Sequence, residues 1–173
     1  MKYLLLLMSF LPMMVWGQTV HIKKGKIVYK GTVKNINYER SELYKRAKKA
    51  LASHVKDTVK SFYIDDMGKG EMAIKGEMKL NAPPGFAKTV FYNFKLKIRD
   101  SSYKYRIDKV YIKQEGKGEK NNLIASETLV KDMNVSGNVA INAEKELNEI
   151  DMNFQKLISQ IKHAINKPAM TKS

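Results

Sequence analysis

SELYKRAKKALASHVKDTVK, residues Ser41–Lys60, is the stretch whose reading decides the fold. Leu43, Tyr44, Ala47, Ala50, Leu51, Val55 and Val59 recur at steps of three and four, which lines them along one side of an α-helix. Lys45, Lys48, Lys49, Lys56 and Asp57 fall mostly outside that stripe. Ser41 is the expected N-cap, and Glu42 sits in the first turn, near the positive end of the helix. One amphipathic helix cannot bury its stripe alone. It needs a sheet, and strand-like segments stand on both sides of it.

Upstream, Thr19–Ile22 and Lys26–Val33 read as strands, and Asn35–Arg40 is a polar connection into the helix. Downstream, Phe62–Ile64 reads as a short strand followed by a turn at Asp65-Asp66-Met67-Gly68. Gly70–Leu80 alternates: Met72, Ile74, Met78 and Leu80 point one way, and Glu71, Lys75, Glu77 and Lys79 the other. Ala82-Pro83-Pro84-Gly85 ends this strand. Thr89–Arg99 sets Val90, Tyr92, Phe94, Leu96 and Ile98 against Asn93, Lys95, Lys97 and Arg99. Asp100-Ser101-Ser102 is the expected hairpin turn. Tyr103–Lys113 returns in phase through Tyr103, Tyr105 and Ile107, then slips to Val110 and Ile112, which predicts a β-bulge near Asp108.

Glu115–Asn122 is a charged loop, and Leu123–Ala143 is patterned too weakly to assign. A second helix is expected over Ala143–Asn166. There Leu147, Ile150, Phe154, Leu157, Ile161 and Ala164 follow four-three spacing, and Ile158 and Ile165 widen the stripe. Lys167–Ser173 is a tail with Pro168 as the stop. These elements predict a single two-layer α+β domain over residues 18–166. It has an antiparallel β-sheet, two helices on one face, and the other face open to water or a partner.

Met1–Gly17, MKYLLLLMSFLPMMVWG, reads as a secretory signal peptide, with Lys2 as its positive start, an apolar core from Leu4 to Trp16, and Val15 and Gly17 before the cut. Its core is short of the roughly 20 residues of a membrane span. Cleavage before Gln18 leaves 156 residues. The chain has no cysteine, so it has no disulfide framework, no thiol catalyst and no lipoprotein anchor at Gln18. The expected product is periplasmic or secreted, with no stable membrane span after cleavage.

Net charge is +15 for the chain, or +14 once Lys2 leaves. Such a balance attracts anions, and export replaces nucleic acid with lipopolysaccharide phosphates, anionic lipids and acidic glycans as the polyanions encountered.

Three stretches resemble an exported family of domains of unknown function from Bacteroidota with a TATA-binding-protein-like (TBP-like) fold. They are ERSELYKRAKKAL at Glu39–Leu51, IDDMGKGEMAIKGEMKL at Ile64–Leu80 and FKLKIRDSSYKYRID at Phe94–Asp108. The family's closing helix is similar to Glu149–Ile165. Ser101-Ser102 departs from the more usual Asp-Gly type turn. The resemblance implies the fold and an envelope address. It implies no activity, cofactor or catalytic residue.

His21, His54 and His163 are far apart and fall in no metal-ligand spacing. Asp65-Asp66 is one carboxylate pair, short of a calcium loop's ligand number. No G-x-S-x-G, P-loop or dinucleotide glycine motif occurs, and Gly68-Lys69-Gly70 and Gly116-Lys117-Gly118 lack the longer phosphate motif. No catalytic residue, metal or cofactor is therefore assigned.

The feature above background is the polar face of the Thr89–Lys113 hairpin. A Ser101-Ser102 loop sets Arg99 opposite Lys104 and Lys97 opposite Arg106, while moving the loop back one residue sets Lys97 opposite Lys104. Like charges facing across a ladder are unfavourable by roughly a few tenths of a kcal/mol per pair. Lys95, Lys97, Arg99, Lys104 and Arg106 are the candidate binding residues for an anionic envelope component or an acidic partner protein. Lys75 and Lys79 extend the face, Glu71 and Glu77 dilute it, and Tyr103, Tyr105 and Tyr111 add packing at its edge. The bland reading is an edge hairpin kept from aggregating by lysines. Alternatives in other classes are a subunit pairing through its C-terminal helix and a hydrolase with a helix–sheet pocket. Oligomeric state is not legible.

Overall fold

The computed structural model describes residues 21–34, 36–55, 61–81, 87–114 and 122–167. Ile22–Lys23 (β1) and Lys26–Ile27 (β2) make a small ribbon of their own. Tyr29–Val33 (β3), Phe62–Asp66 (β4), Glu71–Leu80 (β5), Lys88–Arg99 (β6), Ser102–Gln114 (β7) and Asn122–Ala125 (β8) form one antiparallel sheet. Its order is β3-β7-β6-β5-β4. β8 shares the free edge of β7 with β3: β3 pairs with Tyr103–Ile107 and β8 with Tyr111–Gln114. The helices are Arg40–Ala52 (α1), Ser126–Asp132 (α2) and Asn138–Asn166 (α3).

The alternating strands sort their side chains as their period dictates. Met72, Ile74, Val90, Tyr92, Phe94, Leu96, Ile98, Tyr103 and Ile107 are buried in one core with the stripes of α1 and α3. Phe154 of α3 sits at the centre of that core, 5.1 Å from the ring of Tyr29 and 5.1 Å from that of Tyr92 in an edge-on pair. Burying each such side chain stabilises the fold by about 1.5–3 kcal/mol. The stripe of α3, from Leu147 through Ile150, Leu157, Ile158 and Ile161 to Ile165, is consumed by this chain's own sheet.

The expected bulge lies in β7. Phe91 pairs with Tyr111 but Asn93 pairs with Asp108, so one extra residue is absorbed opposite Tyr92. Lys109 takes a φ of +53° there, and the phase shift lets both Ile107 and Val110 face the core.

Several expected boundaries move. α1 starts at Arg40 with Glu39 as its N-cap, in place of Ser41. Arg40 Nη2 reaches the carbonyls of Met67 and Gly68, which ties the helix start to the β4–β5 turn. The helix ends at Ala52, because Ser53 Oγ donates to the Ala50 carbonyl at 2.8 Å and His54 Nδ1 lies 2.8 Å from the same oxygen; residues 56–60 of the expected span lie outside the described residues. Asp65 and Asp66 end β4 rather than forming the turn, which follows at residues 67–70. Of the upstream strands, Lys26–Val33 is broken after Ile27 and Ile22–Lys23 pairs with its first part, while Thr19 and Val20 lie outside the described residues. The unassigned stretch after Leu123 is β8, the short α2 and the first turn of α3, which begins at Asn138 rather than Ala143. Among the described residues, Ser126–Asp132 is thus a helix beyond the two expected. The signal peptide with its cut before Gln18, Val59, Ala82-Pro83-Pro84-Gly85, Gly116-Lys117-Gly118 and the tail from Pro168 lie outside the described residues.

Candidate functional site

The register across the sheet decides which cations share the open face. Ile64, Ala73, Lys95, Arg106 and Lys30 form one row across five strands. Asp66, Glu71, Lys97, Lys104 and Thr32 form the next. The turn is the two residues Asp100-Ser101, with Arg99 paired to Ser102, so Lys97 faces Lys104 and Lys95 faces Arg106. Ser101 adopts a φ of +53° to close it.

Between the two rows lies a hollow of about 580 Å³, lined by Lys30, Lys95, Lys97, Lys104 and Arg106 as its cations and by Ala73 and Ile64 as apolar surface. Part of this charge is answered internally. Lys97 Nζ is 2.7 Å from Glu71 Oε1, Arg106 Nε donates to Asp108 Oδ2 at 2.6 Å, and Lys95 Nζ is 3.3 Å from the same oxygen. Among the described residues Lys30, Arg99 and Lys104 have no acidic partner. Asp108 is 9% exposed, and its Oδ1 is buried without a partner. Burial, and then the charge of Asp108, push the Tyr63 hydroxyl above the usual tyrosine range.

Four of the five sequence-predicted residues therefore meet in one place. Arg99, the fifth, stands at the hairpin tip outside the hollow. Tyr103 and Tyr105 are corrected: both lie on the helix-covered face. Tyr103 is 1% exposed, and Tyr105 stacks on Phe94 beneath Lys162, whose Nζ is 4.9 Å from the ring centre. Tyr111 alone of the three is on the open face. Lys30 escaped the sequence reading. The signal was present, because alternation from Tyr29 turns Lys30 outward, but its cross-strand partner Arg106 is 76 residues away.

The other candidates resolve into local structure. Asp65 accepts from the Tyr44 hydroxyl at 2.6 Å and pairs with Lys48 at 2.5 Å; Lys48 and then Tyr44 hold its carboxyl below the usual range. Asp66 Oδ1 accepts from the Lys69 backbone at 2.9 Å, and the Gly70 carbonyl accepts from Ile98 N–H at 2.7 Å. His54 Nδ1 serves the Ala50 carbonyl and so carries the proton there, which leaves it a donor, not a base, toward Ser53 Oγ at 3.1 Å. His21 is the histidine that nears a carboxylate, with Nδ1 3.8 Å from Asp151 Oδ1, and that oxygen already accepts from the Tyr29 hydroxyl at 2.6 Å. His163 is exposed on α3. No helix of the described residues is long and apolar enough to cross a membrane.

An antiparallel sheet with helices on one face and an open face on the other defines a TBP-like α+β protein. Residues 29–113 match the family model of a domain of unknown function (DUF4468) with TBP-like fold. Two crystal structures share the fold. A TBP-like protein from Parabacteroides distasonis has a TM-score of 0.71 at 14% identity, over 87% of this chain and 99% of that one. A DUF4468 family protein from Bacteroides ovatus has a TM-score of 0.69 at 14% identity, over 90% of this chain and 95% of that one. No curated protein matches the chain.

Proposed function

We propose that the chain is an exported, non-catalytic binding module whose open sheet face takes an anionic component of the cell envelope. One observation carries this reading: five cations from three adjacent strands line a single hollow, with Glu71 and Asp108 as the carboxylates paired to them. Stacking like charges on facing rungs works against folding, and an arriving anion relieves it. The Met1–Gly17 leader supports delivery to the periplasm or the medium. The engagement of His54 with a backbone carbonyl, and of Asp65 and Asp66 with their own neighbours, supports binding over catalysis. The stripe of α3 is spent on the sheet, which favours this reading over pairing through the C-terminal helix.

Co-sedimentation of the mature protein, starting at Gln18, with envelope fractions from its host tests the reading at low and high salt. Binding is expected to weaken with salt and to be lost when Lys97, Arg99, Lys104 and Arg106 are changed together to Gln. Equal sedimentation of both proteins would overturn it.

A further inference from the structure

The cations of the hollow are not equivalent, and the difference points to a ligand class. Lys97 is engaged by Glu71, and Lys95 lies near Asp108. Arg106 is held to Asp108 through Nε alone, which fixes the plane of its guanidinium and leaves the two Nη groups without an acidic partner among the described residues. An arginine offers five N–H donors, so a pinned Nε leaves the outer fork available to a second anion. Lys30 pairs with Arg106 across β3 and β7, and Lys104 is two residues along β7 on the same face. Facing residues stand about 5 Å apart and next-but-one residues about 7 Å apart, within reach of long side chains. Thr32, facing Lys104, adds a hydroxyl at the rim.

We infer that this hollow binds a phosphate monoester. Its phosphate is held by Lys30, Lys104 and Arg106, and its ester-linked body lies against Ile64. The inference rests on the basic-face reading and narrows it. Five cations and two carboxylates leave a net of three positive charges around the hollow. A phosphate monoester brings close to two negative charges near neutral pH and three acceptor oxygens, where a carboxylate brings one charge and two oxygens. A volume of about 580 Å³ far exceeds the needs of a bare phosphate and falls within the range of small-molecule sites, roughly 300–1,000 Å³. Ile64, 37% exposed, gives the extra space an apolar wall suited to a carbon body.

Titration of the mature protein with glycerol 3-phosphate, acetate and sulfate, followed by calorimetry, tests this. Glycerol 3-phosphate is expected to bind at least about tenfold more tightly than acetate. Lys30→Gln and Lys104→Gln are each expected to weaken it by about tenfold, the loss of one charge-assisted hydrogen bond. Both side chains are exposed, so neither variant endangers the fold. Lys156→Gln, exposed on α3 and outside the hollow, is expected to leave affinity unchanged. Phosphatidylcholine vesicles with and without phosphatidic acid separate the sources. Vesicle binding that needs phosphatidic acid and Lys30 assigns a lipid headgroup, whereas glycerol 3-phosphate binding without vesicle binding assigns a soluble ester. Acetate binding as tightly as glycerol 3-phosphate, or both Gln variants binding like the parent, overturns the inference. If that happens while the fourfold Gln variant still loses sedimentation, the basic-face reading stands alone. If the fourfold variant also behaves like the parent, both fall.

Discussion

Lys97 on β6 stands directly opposite Lys104 on β7, and of the two only Lys97 has a carboxylate partner among the described residues, Glu71 of β5 at 2.7 Å. Glu71 thus offsets one of two facing charges. Glu71→Gln is expected to lower stability by less than about 1 kcal/mol, since Lys97 and Glu71 are 49% and 37% exposed. The same change frees Lys97 and is expected to increase salt-sensitive sedimentation with envelope material. Urea midpoints and co-sedimentation read the two effects separately. Unchanged sedimentation would remove Lys97 from the contact surface.

Tyr29 donates its hydroxyl to Asp151 at 2.6 Å, and both residues are almost wholly buried, at 1% and 2% exposure. Tyr29→Phe keeps the ring against Phe154 but strips the carboxylate of this donor. A loss of roughly 1–3 kcal/mol is expected from urea unfolding, the cost of an unsatisfied buried acceptor. Asp151→Asn in the Tyr29→Phe background is expected to recover part of it, because a neutral amide is cheaper to leave unpaired than a charge. No loss in the single variant would mean that another group already satisfies Asp151.

Stability is expected to fall in alkali. Burial pushes Tyr92 and Tyr103 up to about 12, and Tyr29 and Tyr44 are raised further, first by burial and then by their carboxylate partners. In the unfolded chain these hydroxyls ionise near about pH 10. Between the two values the unfolded state holds fewer protons than the native one, so stability is intact below about pH 10 and declines above it. Each such tyrosine contributes about 1.4 kcal/mol per pH unit in that window. Urea midpoints across the window, together with phenolate absorbance, check the sign; a flat profile would contradict the burial of these rings.

Gly76 and Gly31 each lie beneath the ring of the tyrosine paired with them, Tyr92 and Tyr105. A Cβ at Gly76 would come within 2.3 Å of Tyr92 Cζ, and one at Gly31 within 2.4 Å of the Tyr105 hydroxyl. Tyr92 is locked in the core, whereas Tyr105 is half-buried and closer to the sheet edge. Gly76→Ala is therefore expected to cost about 1–3 kcal/mol and Gly31→Ala less, since only the second ring can swing away. Melting temperatures equal to the parent's in both variants would show that both rings have room.

The core strands and the C-terminal helix were legible because their periods are unambiguous. Val90 to Ile98 alternate without a break, and Leu147 to Ile165 follow the helical repeat over more than five turns. The bulge near Asp108 was legible for the same reason, as a slip of phase. The start of α1 was not: Ser41 is the better cap by type, but Arg40 finds carbonyls on the β4–β5 turn, a contact invisible to local sequence. α2 was missed because seven residues give too short a stripe to stand above noise.

The sequence by itself determined which residues are apolar, with what period, and therefore one sheet with a covered face and a bare face carrying Lys95, Lys97, Lys104 and Arg106. Those are local properties, fixed by alternation along single strands. Only the tertiary structure decided the rungs. The two-residue turn at Asp100-Ser101 chose Lys97 opposite Lys104, and the docking of β3 on β7 brought Lys30 beside Arg106. A register shift of one residue changes every facing pair while leaving the pattern along each strand untouched. For that reason the charges of this face were readable in the chain, and their company was not.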